Sequence, residues 1–297
     1  MTVSPRSSLA RLDLRSGKVL PLAAGRFFAV ANPALSPSGR LAFIASSCAA
    51  CRQRLALARG RDTILLKRAL SVTWMDSRRL IVSVGRGEET ELWVVSADGR
   101  GHELEWLTEE AEEIAVETER ELVLSPNRRT LLFSGEGASE HHGNYIVDLR
   151  KREVLPLSGD ANDAPAFSPD GRTIAYQHVA RPDDWDICVA RISHRASSGA
   201  HCFRSPAGND REPAFLPNGR QLVFSSDRAS RRNGISSLYV LDLADGSVRR
   251  LTGGGYDALS PKVTPDGRGV IFVRRALVRL SSPTQEPAAA GSNTVSR

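Results

Sequence analysis

Residues 163–172 read Asp-Ala-Pro-Ala-Phe-Ser-Pro-Asp-Gly-Arg, and the last five of them form a motif that recurs along the chain. Proline followed by Asp or Asn and then Gly is typical of a tight turn, because proline presets φ and glycine tolerates a positive φ. The recurring segments are Ser36–Arg40, Ser125–Arg129, Ser168–Arg172, Leu216–Arg220 and Thr264–Arg268, with a degenerate copy at Met75–Arg79. Their final arginines are 39 to 50 residues apart, a period typical of β-propellers or of two-helix solenoids.

Short β-rich runs on both sides of these turns decide between the two architectures. Arg172–His178, Gln221–Ser226 and Gly269–Val273 each follow a turn and are five to seven residues long. Such runs suit strands and are too short for helices. No stretch shows sustained apolar spacing at the helical period, so the repeat is predicted to be built from strands.

A second element recurs between the turns. Segments 12–17, 147–152 and 241–246 each begin with an apolar residue followed by Asp and Leu, and each leads to a leucine nine residues after its Asp. Each copy is typical of a strand, a short turn and another strand. One repeat therefore contains two hairpins, and six turn motifs predict an all-β, six-bladed β-propeller with four-stranded antiparallel blades.

The chain ends predict how the ring closes. A complete outer hairpin, residues 9–22, precedes the first turn, whereas no second hairpin follows Arg275. We therefore expect the N-terminal hairpin to join the C-terminal blade, and deletion of residues 1–24 to cost far more than a loop deletion. Residues 8–280 are predicted to form a single propeller, and the Pro, Ala, Ser and Gly content of residues 281–297 indicates a disordered tail.

Composition narrows the functional classes. The chain has 297 residues, is 41% hydrophobic and 25% charged, and carries a net charge of +6. It has no apolar run long enough to cross a membrane. Its arginines are dispersed along the repeats rather than clustered with aromatic residues, which argues against nucleic-acid binding. We expect a monomer, and a cytoplasmic one if Met1 is the true start, because residues 1–10 show no signal sequence.

Four cysteines are too few for a disulfide scaffold in a chain of this length. Cys48 and Cys51 form a CxxC pair, for which unpaired loop thiols, a local disulfide, and a metal or redox role are all open. Cys188 and Cys202 could face each other across a hairpin, which would suit an oxidising compartment.

Residues 163–172, together with Tyr239–Gly246 and Arg250–Thr252, resemble the WD-like repeat of the TolB-like β-propeller family. The resemblance covers roughly residues 9–280, and it implies a periplasmic protein whose channel receives extended segments of protein partners. The same repeat occurs in propeller domains of prolyl-oligopeptidase-like hydrolases and of membrane-anchored sensors. A signal peptide and a small α/β domain, which precede the propeller in TolB, are not visible in this chain.

Catalytic motifs give little support for an enzyme. The nucleophile elbow G-x-S-x-G is absent from the sequence. His141 and His142 are adjacent, and on an extended chain they point in opposite directions, which makes a poor metal chelate. We expect no catalytic residues and no metal or cofactor. The alternatives are a channel-site lyase or hydrolase, with metal assistance or without it, and the accessory domain of a longer membrane-anchored regulator or peptidase.

Polar residues recur where each blade begins. Asn162 and Asp163, Asp210 and Arg211, and Asp257 each precede or open the first strand of a blade. Because these connections lead to the innermost strands, their side chains are expected to converge at one mouth of the central channel. They could bind a peptide, a small polar ligand or calcium. The alternative is that Asp and Asn merely cap the turn into the strand.

Overall fold

The computed structural model describes residues 6–22, 27–58, 63–86, 89–103, 120–136, 142–157, 162–181, 184–192, 197–205, 208–230, 234–253 and 255–276. These residues form 24 β-strands in six four-stranded antiparallel sheets. The predicted number of blades and of strands per blade is therefore confirmed. Within the described residues there is no helix with the length and hydropathy needed to span a bilayer.

Each sheet is one blade, whose four strands follow one another from the axis outward. Blade 1 contains β3 (Ala29–Leu35), β4 (Leu41–Ser46), β5 (Arg54–Leu57) and β6 (Thr63–Lys67). Blade 2 contains β7 (Ala69–Trp74), β8 (Arg79–Arg86), β9 (Glu89–Ser96) and β10 (Gly101–Glu103). Blade 3 contains β11 (Arg120–Leu124), β12 (Thr130–Glu136), β13 (His142–Asp148) and β14 (Glu153–Pro156).

The remaining blades have the same order of strands. Blade 4 contains β15 (Asn162–Phe167), β16 (Thr173–Arg181), β17 (Asp184–Ile192) and β18 (Ser197–Phe203). Blade 5 contains β19 (Asp210–Phe215), β20 (Gln221–Ser226), β21 (Ser237–Asp242) and β22 (Val248–Arg250). Blade 6 contains β23 (Tyr256–Val263), β24 (Gly269–Ala276), β1 (Ser7–Asp13) and β2 (Val19–Pro21).

The innermost strands β3, β7, β11, β15, β19 and β23 contact one another in sequence around a central axis, and β23 contacts β3 to complete the ring. Each innermost strand follows the outer strand of the preceding blade in the sequence and ends at one of the recurring turns. We call the end of the ring where these strands begin the strand-start face, and the end that carries the turns the turn face. We call the space that the six innermost strands enclose the central channel.

The recurring motif forms the predicted turn. In blade 4 the N–H of Gly171 donates to the Ser168 carbonyl at 2.9 Å, and Gly171 has a φ of 69°. The Ser168 hydroxyl oxygen accepts the N–H of Thr173 at 2.9 Å. Proline and glycine of neighbouring turns also meet across the blades, because a Cβ added at Gly267 would lie 2.8 Å from Cγ of Pro217 in the preceding turn.

The contact between Gly267 and Pro217 predicts that alanine substitutions at two turn glycines lower the free energy of unfolding by different amounts. Gly267→Ala is expected to destabilise the protein by about 3 kcal/mol, because a left-handed alanine costs about 1–2 kcal/mol and the clash with Pro217 adds to it. Gly39 has a similar φ of 78° but open space around its Cα, so Gly39→Ala should cost only about 1 kcal/mol. Urea unfolding of both variants measures the difference, and equal costs would contradict the packing role of Pro217.

The hydrophobic core is divided among the interfaces between blades. Six clusters of buried side chains each draw on two adjacent blades. The largest fully buried side chains are four phenylalanines at matching positions of second strands, namely Phe43, Phe133, Phe224 and Phe272. No blade therefore buries its apolar faces alone, and stability depends on a closed ring.

Ring closure follows the prediction from the chain ends. The N-terminal strand β1 pairs antiparallel with β24, from Ser7 opposite Arg275 to Asp13 opposite Gly269. Strand β2 then forms the outer edge of blade 6. The last described residue, Ala276, donates its N–H to the Arg6 carbonyl at 3.0 Å. Residues 277–297 lie outside the described residues, so the domain limit at 280 and the tail stay predictions.

All four cysteines are in disulfides. Cys188 and Cys202 are directly opposite each other on β17 and β18, with their Cα atoms 4.0 Å apart, which is the cross-hairpin arrangement considered from the sequence. Cys48 and Cys51 close a short disulfide in the connection between β4 and β5. The local-disulfide alternative therefore holds for the CxxC pair.

Candidate functional site: the central channel

The central channel is the site to which all six blades contribute. It encloses a cavity of about 220 Å³. Every innermost strand lines it. Each strand contributes the residue that lies four positions before the first residue of its turn motif. These residues are Asn32, Ser71, Glu121, Ala164, Glu212 and Ser260, which we call the channel ring. Lys262 lies two residues beyond Ser260 and also lines the channel.

A β-bulge produces this ring. The pairing of each innermost strand with its neighbour shifts register near the ring residue. In five of the six strands the ring residue has a positive φ, between 45° and 55°. The positive-φ residues are Asn32, Glu121, Ala164, Glu212 and Ser260. Left-handed backbone in non-glycine residues is uncommon and concentrates at binding sites.

Some side chains of the channel ring form hydrogen bonds between neighbouring blades. Glu212 accepts the N–H of Ser260 at 2.6 Å on Oε2 and its hydroxyl at 2.7 Å on Oε1. The Asn32 amide donates to the Leu70 carbonyl at 2.9 Å. The Ser71 hydroxyl oxygen accepts a backbone N–H from blade 3 at 3.1 Å. Each of these bonds joins two blades and satisfies the polar group that makes it.

Glu121 differs from these residues. Its Oε2 atom is buried and has no hydrogen-bond partner among the described residues. Burial, assisted by the nearby carboxylates of Asp163 and Glu212, raises the pKa of Glu121 to about 8, whereas Lys262 and the N–H of Ala164 act to lower it. A buried oxygen without a hydrogen-bond partner lowers the free energy of unfolding. A hydrogen-bond donor or a cation that reached Glu121 Oε2 would therefore bind favourably.

Asp210 and Asp257, which the sequence singled out, are buried in ion pairs at the strand-start face. Asp210 accepts Arg228 at 2.5 Å and the Ser226 hydroxyl at 2.6 Å. Asp257 accepts Arg275 at 2.7 Å and the N–H of Ser236 at 2.8 Å. Both carboxylates therefore join the start of an innermost strand to the end of the second strand or the loop beyond it, and Asp257 also bonds to the β20–β21 connection of blade 5 through Ser236.

The other predicted residues lie nearer to solvent. Asp163 is partly buried and accepts the N–H of Ala164 at 2.9 Å and the Gln177 amide at 3.2 Å. Arg211 is exposed, and its guanidinium carbon lies 5.4 Å from the centre of the Trp185 ring. Asn162 opens β15 opposite His178, and its side chain is outside the described set. Binding by these five residues stays a prediction.

Sequence reasoning missed Glu121, Glu212 and Lys262. It selected only residues that precede or open the first strand of a blade. The bulge turns a later residue of the strand into the channel. One signal was available, because in four repeats the ring residue directly precedes a proline, as in Glu212-Pro213.

The described residues contain no group of three or more His, Cys, Asp or Glu side chains placed to hold a metal ion. His141, one member of the histidine pair, lies outside them. Calcium at the channel mouth stays a prediction.

Comparison with curated proteins gives a partial relative. A segment of 109 residues is 28% identical to the uncharacterized peptidase YuxL of Bacillus subtilis (strain 168). The match covers 36% of this chain and 16% of that protein. The chain therefore spans about one-sixth of the length of this relative.

Two solved structures cover nearly the whole chain. A protein described as TolB from Agrobacterium tumefaciens superposes with a TM-score of 0.72 at 20% identity, covering 93% of this chain and 100% of the other. A gluconolactonase from Xanthomonas campestris superposes with a TM-score of 0.62 at 15% identity, covering 92% and 96%. At these identities the likeness shows the fold alone.

The family comparison is more direct. Residues 124–296 match the TolB beta propeller domain, a span that includes the last four turn motifs, Asp163–Arg172 and the segment Tyr239–Thr252. The same repeat continues through blades 1 and 2 in the structure. Since the match spans more than half of the chain, the protein belongs to the TolB beta propeller domain family.

Proposed function

We propose that this protein is a non-catalytic binding module that receives an extended peptide or a small polar ligand in its central channel. The observation that carries the proposal is Glu121 Oε2, a buried acceptor without a partner among the described residues, in a cavity of about 220 Å³. Hydrogen-bond donors of a ligand would satisfy it. Convergent polar groups in a preformed cavity are typical of binding sites.

The residues at the strand-start face divide into two roles under this proposal. Asp210 and Asp257 hold the mouth through their ion pairs with Arg228 and Arg275. Asp163, Arg211 and Asn162 open their strands at the same mouth and would contact the part of a ligand that extends outward. The mouth would then select a ligand by charge, and the channel ring would hold its end.

A second candidate function is favoured by one observation. The raised pKa of Glu121, about 8, is typical of carboxyl groups that exchange protons in enzymes. The relative and the neighbour named as a peptidase and a gluconolactonase are enzymes by name. A channel-site lyase or hydrolase with Glu121 as its general base is therefore the alternative.

The compartment is also part of the proposal. Two disulfides are typical of proteins in oxidising compartments. Together with family membership, they support a periplasmic protein that binds a protein partner.

Channel binding is tested with peptides selected from a random phage-displayed library on the immobilised protein and then synthesised. Thr73→Trp fills the channel from β7 and should weaken the selected peptides by at least about tenfold. Ile64→Trp places the same side chain on the outer edge of blade 1, where Ile64 is 42% exposed, and should leave affinity unchanged. Peptides that bind both variants equally would refute the channel as the site.

A further inference from the structure

The unpartnered oxygen of Glu121 points to a specific ligand chemistry, an inference that rests on the proposed function. We propose that the channel binds the primary ammonium group of a peptide, either its N-terminal amine or a lysine side chain, with Glu121 Oε2 as the acceptor. Asp163 and Glu212 provide the surrounding negative charge.

The charges around the site favour a cation. Three carboxylates, those of Glu121, Asp163 and Glu212, influence one another here, and Lys262 is the cation that acts on Glu121. Lys262 does not hydrogen-bond Oε2, because that atom has no partner among the described residues. Lys262 therefore does not fully neutralise the negative charge of the channel. A second positive charge would be attracted into it.

The number of free acceptors distinguishes an ammonium from other cations. Oε2 is the Glu121 oxygen that is buried without a hydrogen-bond partner among the described residues, so the site offers one free buried acceptor. Guanidinium groups prefer two parallel acceptor oxygens, whereas an ammonium is a compact point charge that can use one. Calcium takes six to eight oxygen ligands, which Oε2 alone does not provide. A primary ammonium fits this set.

The cavity also limits what can enter. Its volume of about 220 Å³ is below the roughly 300–1,000 Å³ of typical pockets for drug-sized ligands. An aminoalkyl chain or the first residues of a peptide fit this space, whereas a folded element does not. The bulk of a protein partner would then remain at the strand-start face, near Asp163 and Arg211.

Ammonium binding should be linked to proton release. Because the pKa of Glu121 is about 8, its carboxyl group is mostly protonated at neutral pH, and an ammonium binds the ionised form. Affinity should therefore rise with pH up to the pKa, by up to about tenfold per pH unit, with up to about one proton released. The ionisable groups facing Glu121 are Asp163 from β15, Glu212 from β19 and Lys262 from β23.

The experiment compares three synthetic tripeptides by calorimetry. Gly-Gly-Gly-amide carries the N-terminal amine, acetyl-Gly-Lys-Gly-amide carries the lysine side chain, and acetyl-Gly-Gly-Gly-amide carries neither. Titrations in buffers of different ionisation enthalpy give the number of protons released. If lysine is the source, affinity rises to about pH 9, whereas an N-terminal amine, with a pKa of about 7.7–8.0, gives a maximum near its own pKa.

Two variants with equal charge changes decide the outcome. Glu121→Gln should lower the affinity of the preferred amine peptide at least about tenfold and abolish proton release. Asp245→Asn, in an exposed turn of blade 5, should change neither. Equal binding of the acetylated control peptide, or unchanged affinity and proton release in Glu121→Gln, would overturn the ammonium site.

The two proposals fail in different ways. If library peptides require an open channel but Glu121→Gln binds them normally, channel binding stands and the ammonium site is wrong. If the amine peptides bind equally well to Thr73→Trp, the channel itself is wrong. Displacement of a bound tripeptide by calcium alone, with no amine dependence, would also contradict the ammonium site.

Discussion

Deletion of residues 1–24 is expected to abolish cooperative folding. The deletion removes β1 and β2, so β24 loses its seven-residue pairing with β1. It also removes Leu9 and Leu12, each 1% exposed, from two different inter-blade clusters. Loss of two buried leucines costs about 4–10 kcal/mol, which is comparable to the total stability of a domain, about 5–15 kcal/mol. Circular dichroism and urea unfolding measure the result.

A circular permutant is the matched control for this deletion. Ser7 lies opposite Arg275 in the pairing of β1 with β24, and Ala276 is hydrogen-bonded to Arg6, so a short linker can join residue 276 to residue 6. A chain of residues 27–276, linker and residues 6–22 should unfold cooperatively near the wild-type midpoint. Cooperative, wild-type-like unfolding of the simple deletion would show that closure by the N-terminal hairpin is not required.

Asp210 is the second position with a large expected effect. Asp210→Ala leaves the Arg228 guanidinium, whose side chain is 21% exposed, and the Ser226 hydroxyl without their acceptor. Breaking one side of such a buried pair costs about 3 kcal/mol. Asp163→Ala removes two weaker hydrogen bonds at a partly buried site and should cost only about 1 kcal/mol. Urea unfolding compares the two, and equal costs would contradict a structural role for Asp210.

Asp210 also predicts a pH dependence. Burial raises its pKa to about 6 from the ordinary 3.8, although Ser226 and Arg228 lower it and Asp186 raises it. Between these values the folded state holds a proton that the unfolded state has lost, so stability falls as pH rises. Relative to Asp210→Asn, the wild type should lose about 3 kcal/mol between about pH 4 and pH 7. A parallel pH dependence of the two proteins would contradict the raised pKa.

The sequence was sufficient for the fold because its determinants are local. Each turn motif specifies a turn through the φ preferences of its own residues, most clearly in the three copies that read Pro-Asp-Gly or Pro-Asn-Gly. The Asp-Leu hairpins do the same, and the bond from the N–H of Leu22, Leu157 or Leu251 to a carbonyl of the paired strand recurs in three blades. The six turn motifs and the unpaired first hairpin were then enough to predict six blades and the closure of the ring.

For the candidate site, the sequence predicted only its location in the fold. The sequence placed polar residues at one mouth of a channel, but it could not assign partners to them, because Arg228 and Arg275 lie 18 residues after Asp210 and Asp257. It also could not show the bulge that brings Glu121 and Glu212 into the channel ring. Burial of Glu121 depends on other strands of the ring, and no local pattern carries that information.

The sequence alone thus determined the strand corners, the repeat and the ring, since these follow from backbone preferences and from a period that each blade repeats. The tertiary structure decided which carboxylates are neutralised and which one, among the described residues, is left without a partner. That outcome depends on distances between residues of different blades, and on how far water is excluded between them, which arise only when the ring has closed.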